Sequence, residues 1–129
     1  MRKQIRSPKG APPKGIYSPA ILAEGKFVFI SGQGPVTPGS GEILYGSFTE
    51  QARLTFDNLT ALLEAAGTSW KDAVKVGVFL SDMAYFPEMN NIYKEYVTEP
   101  YPARTTVQAG LPAGTYIEVD CIALVPDNE

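Results

Sequence analysis

The chain lacks histidine and carries a single cysteine, so few side-chain types remain that could do chemistry. Serine–histidine and cysteine–histidine nucleophiles are therefore excluded, as is every histidine-ligated zinc or iron site. Acid–base chemistry would have to use Asp, Glu, Tyr, Lys, Cys or water. The lone Cys121 also excludes an intrachain disulfide and a CxxC motif, which fits a cytoplasmic protein.

Arg104 is the most informative charged residue, because it begins the apolar segment 104–109 directly after a Pro-Ala step. A guanidinium cannot lose its charge, so an arginine on a sheet surface needs an anionic partner. One interpretation is a structural ion pair, with Glu118 as a candidate partner. The other is a bidentate clamp on the carboxylate of a substrate. The sequence alone leaves both open.

Glu118 lies between Ile117 and Val119 in the last apolar segment of the chain. Desolvation raises the pKa of a buried carboxyl unless an arginine or hydrogen bonds oppose it, and such a group could hold or activate water. A lysine or arginine partner on the next strand is the alternative. Glu118 and Asp120 share a face of the predicted strand, but two ligands are too few for a dedicated calcium site, so we expect no metal. Cys121 lies on the opposite face and is expected in the core.

The glycines at 32 and 34 invite comparison with phosphate-binding loops. Pro35 follows them and no helix begins there, so neither the dinucleotide-binding pattern nor the P-loop pattern is met. The pattern therefore favours a turn or a close approach of backbone to a neighbour.

Periodic apolar patterns predict the elements that must position these residues. A capping box formed by Ser47 and Glu50 opens a helix whose apolar face ends near Gly67. A second helix is predicted over 86–97, ended by the prolines that follow. Strands are predicted over 16–23, 26–31, 73–81, 104–109 and 116–125, the first two joined by a hairpin turn at 24–25.

These elements predict one domain over residues 1–129, an α+β fold with both helices on one face of the sheet. The other face would be bare although several strands are apolar on both sides, so we expect a homo-oligomer that covers it. The formal net charge of −3 makes nucleic-acid binding unlikely as a function. The apolar runs are too short for a membrane span.

Six short motifs occur in the order and at the spacing of one protein family. They cover residues 15–20, 29–33, 58–67, 78–83, 102–104 and 117–119. On these motifs the chain resembles the reactive intermediate deaminase family (Rid, or RidA/YjgF-like), also labelled L-PSP endoribonuclease. Each motif is weak alone, whereas six in order are specific, and the match extends from about Ile5 to Val125.

The resemblance implies a chorismate-mutase-like (YjgF-like) fold, with one sheet of about six strands and two helices on one face, and a homotrimer whose sheets form a central barrel. It also implies clefts between subunits that bind 2-imino acids such as 2-iminobutanoate and 2-iminopropanoate, or their enamine tautomers. Water converts these to 2-oxo acids and ammonia, without any cofactor. Hydrolysis of an already electrophilic imine carbon needs mainly orientation and proton transfer, which require neither histidine nor metal.

The resemblance also implies a role for individual residues. Arg104 would clamp the substrate carboxylate, Glu118 would position the attacking water, and Tyr17 would line the pocket and donate a hydrogen bond. The other implied substrate-binding residues are Ser31, Gly32, Asn90 and Thr106. Thr106 stands where the family commonly has cysteine. The chain also departs from the family pattern at Ile16, Pro19 and Gly34 and in a shortened segment, 108–112.

Two other functions remain open at this point. The first is a regulatory trimer that holds a small carboxylate through Arg104 without turnover. The second is the endoribonuclease or translation-inhibitor activity of the older family label. The acidic net charge and the absence of histidine weigh against the second, because metal-free RNA cleavage usually relies on an acid–base pair that titrates near neutrality.

Overall fold

The computed structural model describes residues 1–127, which form an α+β fold of six strands and two α-helices. In chain order the elements are β1 (Arg2–Ile5), β2 (Ala20–Ala23), β3 (Lys26–Gln33), α1 (Phe48–Ala65), β4 (Ala73–Leu80), α2 (Phe86–Tyr93), β5 (Ala103–Gln108) and β6 (Ile117–Val125). Short 3-10 helices precede β4 and α2, at Trp70–Asp72 and Met83–Tyr85. The expected α+β class is confirmed, but the expected single sheet of about six strands is wrong, because the six strands divide into a four-stranded and a two-stranded sheet.

Helix α1 begins at the predicted capping box. The Ser47 side chain accepts a hydrogen bond from the Glu50 N–H, and the Glu50 carboxylate accepts one from the Ser47 N–H. This arrangement satisfies two of the backbone donors that a helix start leaves unpaired. One face of the helix is fully buried, at Ala52, Phe56, Leu59 and Leu63. The predicted face and helix start are therefore confirmed.

Four strands form a mixed sheet in the order β3-β6-β4-β5, in which only the β4–β5 pair is parallel. Alternate residues of β4 and β6 enter one core cluster with the buried residues of α1 and α2, so both helices cover the same face. We name this the helix face. β1 and β2 form a separate two-stranded sheet, and a parallel bridge between Ser18 and Ala103 joins it to the β5 edge.

The opposite face of the four-stranded sheet carries no helix, and we name it the open face. Phe29, Phe79, Val107 and Ile122 lie on it, as the pairing register shows. Phe29 is 74% exposed and Val107 41% exposed. Exposed apolar side chains on a sheet face without helices are typical of a surface that another protein covers.

Three predictions about the strands are corrected. β1 lies in an N-terminal segment for which no strand was predicted, and β2 begins at Ala20 rather than at residue 16. The predicted hairpin at 24–25 is not observed, because β2 pairs with β1 while β3 pairs with β6. Gly25 has a φ of 134°, a value open to glycine, where the chain leaves one sheet for the other.

The ends of two further elements differ from prediction. α2 ends at Tyr93, four residues before the predicted 97, and Glu95 and Tyr96 continue with tighter i→i+3 hydrogen bonds. β3 continues past residue 31 to Gln33 through a bulge, in which Ser31 and Gly32 stand opposite the single residue Asp120. No helix within residues 1–127 is both long and apolar enough to cross a membrane.

Candidate active site

Arg104 lies on β5 and points to the helix face, where neutral groups hold it. Its Nη1 donates a hydrogen bond of 2.8 Å to Oδ1 of Asn90 on α2. Its guanidinium carbon lies 5.0 Å from the ring centre of Tyr93 and 5.6 Å from that of Phe86. Two aromatic rings and an amide therefore orient a cation without neutralising it.

No carboxylate among residues 1–127 pairs with Arg104, since the salt bridge found in that range joins Arg53 to Glu95. The structural ion pair with Glu118 is therefore wrong within one protomer. Arg104 is half-buried, and this desolvation lowers its pKa from the ordinary arginine value. A half-buried guanidinium without a counter-ion is poised to bind an anion.

Tyr17 interacts electrostatically with Arg104, which partly opposes the lowering of the Arg104 pKa by burial. Its hydroxyl accepts a 3.2 Å hydrogen bond from the N–H of Lys14. Tyr17 also borders a cavity of about 430 Å³, whose lining includes Gln4, Arg6 and Tyr101. Asn90 thus contacts Arg104 directly, whereas Tyr17 is linked to Arg104 only by electrostatics and borders the cavity.

Thr106 follows Arg104 by two residues on β5 and shares its face. Its Oγ1 is buried and has no hydrogen-bond partner within residues 1–127. The Tyr93 hydroxyl on α2 is also buried without a hydrogen-bond partner in residues 1–127, and burial raises its pKa well above the usual tyrosine value. The buried hydroxyls of Thr106 and Tyr93 therefore both lack a hydrogen-bond partner in the described part of the chain.

Glu118 lies on the open face, beside Gly32 of the β3 bulge. A Cβ placed on Gly32 would lie 2.9 Å from Cδ and 3.2 Å from Cγ of Glu118, which is closer than ordinary contact. Only glycine leaves room for this carboxylate, so the close backbone approach anticipated for the 32–34 glycines is confirmed at Gly32. The neighbouring Ser31 is exposed.

The candidate residues therefore form two groups on opposite faces of one sheet. The register pairs Val76 with both Arg104 and Cys121, which places these three on the helix face. It pairs Phe79 with Glu118, which places Glu118 on the open face. A single protomer does not bring the guanidinium and the carboxylate to one pocket.

Two contacts of Arg104 were missed by the site predictions, namely the rings of Phe86 and Tyr93. Their seven-residue spacing on a predicted helix places them on one face, and that was the available signal. Cys121 is in the core as predicted, and burial raises the pKa of its thiol to about 12. No group of three or more Cys, Asp or Glu side chains in the described part of the chain could hold a metal ion.

Comparison with known proteins places the chain in a family. The model of the family described as endoribonuclease L-PSP matches residues 8–125. A RutC family protein of Pyrococcus horikoshii is 44% identical over 124 residues, covering 95% of this chain and 98% of its own. The human 2-iminobutanoate/2-iminopropanoate deaminase is 36% identical over 125 residues, covering 96% and 90%.

Solved structures share the fold across nearly the full length. The crystal structure of Escherichia coli TdcF with bound serine superposes with a TM-score of 0.70 at 37% sequence identity, covering 95% of this chain and 98% of that one. Both the family model and the relatives span the segments that hold Arg104 and Glu118. The chain therefore belongs to the RidA/YjgF-like family, also known as the endoribonuclease L-PSP family.

Proposed function

We propose that the protein hydrolyses reactive 2-imino acids, such as 2-iminobutanoate and 2-iminopropanoate, to 2-oxo acids and ammonia. The observation that carries this proposal is the half-buried Arg104, held by Asn90 and two aromatic rings with no acidic partner in residues 1–127. A planar guanidinium in this state is suited to a bidentate carboxylate. The name of the human relative and the serine bound to TdcF support a small amino-acid-like ligand.

The remaining residues need only position a water molecule and transfer protons. Water adds its oxygen to the C=N carbon, and one proton of that water passes through the Glu118 carboxylate to the imine nitrogen, giving a carbinolamine. The Glu118 carboxylate then takes the proton of the new hydroxyl and delivers it to the nitrogen, so that the C–N bond breaks, ammonia leaves and the hydroxyl oxygen becomes the carbonyl of the 2-oxo acid. Arg104 holds the carboxylate throughout, and Glu118 acts as base and then acid.

This assignment requires two protomers, because Arg104 and Glu118 lie on opposite faces of the sheet. We propose a homotrimer in which the open faces pack together and the helix-face group of one protomer meets the Glu118 group of the next. The exposed apolar side chains of the open face, Phe29 foremost, support such an assembly. Each cleft would then contain both groups.

The test follows imine decay when a dehydratase generates 2-aminocrotonate from threonine. The wild-type protein is expected to accelerate decay, and Arg104→Ala should abolish most of that acceleration because the clamp is lost. Glu118→Gln should retain binding of 2-oxobutanoate and lose turnover. Arg53→Ala is the matched control, since Arg53 is an exposed arginine whose partner, Glu95, lies outside the site.

Two other experimental outcomes would favour a different function for the protein. Saturable binding of 2-oxobutanoate without any acceleration of decay would favour a regulatory trimer, which the serine-bound TdcF structure also makes reasonable. RNA cleavage that survives metal chelation and repurification would favour the activity named in the family description. Equal rates for the wild-type protein and Arg104→Ala would refute the proposed clamp.

A further inference from the structure

Three successive backbone carbonyls just before Arg104 each accept a hydrogen bond from Arg2 of β1 or from Ser18, which precedes β2. The Pro100 oxygen accepts from Nη2 of Arg2 at 2.7 Å. The Tyr101 oxygen accepts from the Ser18 hydroxyl, and the Pro102 oxygen accepts from the Ser18 N–H at 3.1 Å. The segment 100–102 therefore depends on residues some 80 to 100 positions earlier in the sequence.

The donors are themselves fixed. Nε of Arg2 donates to the carbonyl of Ala73 at the start of β4, so one guanidinium ties that strand to Pro100. Nε2 of Gln4 donates to Oγ of Ser18 at 2.8 Å, which leaves the hydroxyl proton of Ser18 directed to the Tyr101 oxygen. Ser18 is 1% exposed, so water does not compete for these bonds.

The position of Ser18 links the two ligand-binding side chains of the helix-face group. Tyr17 precedes it in sequence, and the segment that it holds, 100–102, ends directly before Ala103, the first residue of β5, which adjoins Arg104. The network also borders the 430 Å³ cavity, which is lined by Gln4, Tyr17, Pro100 and Tyr101 among others. Loss of the Ser18 hydroxyl would leave a buried carbonyl unpaired and free the segment to shift.

We propose that Ser18, oriented by Gln4, is a positioning residue that sets the place of Arg104 relative to Tyr17 for carboxylate binding. The proposal rests on the proposed function, because it assumes that Arg104 binds the substrate carboxylate. Ser18 acts through its neighbours and does not touch the substrate. A carboxylate clamp of this kind must be held to within about 0.5 Å, which a rigid supporting network provides.

The test compares Ser18→Ala with Thr68→Ala. Thr68 is 9% exposed, and its hydroxyl donates a 2.7 Å hydrogen bond to the carbonyl of Leu124, so each variant removes one buried hydroxyl-to-carbonyl bond. We expect Ser18→Ala to raise the Kd for 2-oxobutanoate and the KM for the imine about fivefold to tenfold, with a smaller change in kcat. Thr68→Ala should lose comparable thermal stability while its Kd and KM stay at wild-type values.

Gln4→Ala provides a second variant if Ser18→Ala does not fold. It leaves Ser18 in place and removes the donor that orients its hydroxyl, together with an exposed 3.1 Å hydrogen bond from Nε of Arg6 to Oε1 of Gln4, so Kd and KM should rise in the same direction by less. The proposal is overturned if the Ser18 or Gln4 variant binds 2-oxobutanoate as tightly as Thr68→Ala does. Arg104→Ala distinguishes failure of the positioning role of Ser18 from failure of the proposed function. Unchanged binding of 2-oxobutanoate by Arg104→Ala would refute the proposed function itself.

Discussion

Substitution of Gly32 by alanine tests whether the place of the Glu118 carboxylate determines turnover. The new Cβ would stand 2.9 Å from Cδ of Glu118, whereas ordinary contact begins at 3.4 Å, so the carboxyl carbon must move by at least 0.5 Å. Gly32 has no positive φ, so alanine fits the local backbone. Glu118 has a flexible side chain, and the clash is therefore relieved by moving the carboxylate rather than by unfolding.

The size of the effect follows from that displacement. A misplacement of about 1 Å of a catalytic group can cost roughly a hundredfold in rate, so 0.5 Å corresponds to about tenfold. We expect Gly32→Ala to lower kcat for imine hydrolysis by about tenfold or more and to leave the Kd for 2-oxobutanoate within about twofold. The Kd should stay constant because Arg104, and not Glu118, holds the carboxylate.

Gly77→Ala is the matched control for this experiment. A Cβ on Gly77 would lie 3.1 Å from Cγ of Asp120, so a second carboxylate on the open face is displaced in the same way. Asp120 has no role in the proposed mechanism, and kcat should be unchanged. Sedimentation velocity on both variants checks that assembly is as in the wild type. The reasoning fails if Gly32→Ala turns over at the wild-type rate, or if Gly77→Ala loses as much.

Three further predictions follow from other contacts. Tyr93→Phe should leave the free energy of unfolding in urea unchanged or raise it by up to about 1 kcal/mol, because the buried hydroxyl has no hydrogen-bond partner in residues 1–127. Tyr96→Phe is the control, since it loses a hydrogen bond to Asp57 and should be destabilised. Hydrogen bonding to Ser47 lowers the pKa of Glu50, so the stability that Glu50 contributes is present above its unfolded pKa and is lost as pH falls through the lower folded pKa. Glu50→Gln should therefore be less stable than wild type at pH 7. A difference in unfolding free energy between the two proteins that persists at pH 2 would contradict this. Phe29→Asp should shift the sedimentation coefficient from that of the proposed trimer to that of a monomer. Tyr45→Asp is the control and should cause no shift, because Tyr45 is a 72% exposed aromatic residue outside the sheet. A trimeric Phe29→Asp protein would refute the open-face assembly.

Local sequence determined the elements whose stabilising contacts are close in sequence. The capping box of Ser47 and Glu50 and the four-residue spacing of Ala52 and Phe56 are sufficient to predict α1, because helix contacts join residues three and four apart. β1 was missed for the opposite reason. Its residues Arg2 and Gln4 alternate without an apolar run, and the strand forms by backbone pairing with β2, 15 to 21 positions along the chain.

The sequence by itself also singled out Arg104 and Glu118 as candidate site residues, because so few other residue types suited to chemistry are present. It did not place them on opposite faces of the sheet. Alternation shows which residues of one strand share a face, but the pairing register between strands decides which of these faces meets the helices. Only the tertiary structure set that register, and with it the separation of the guanidinium from the carboxylate within one protomer.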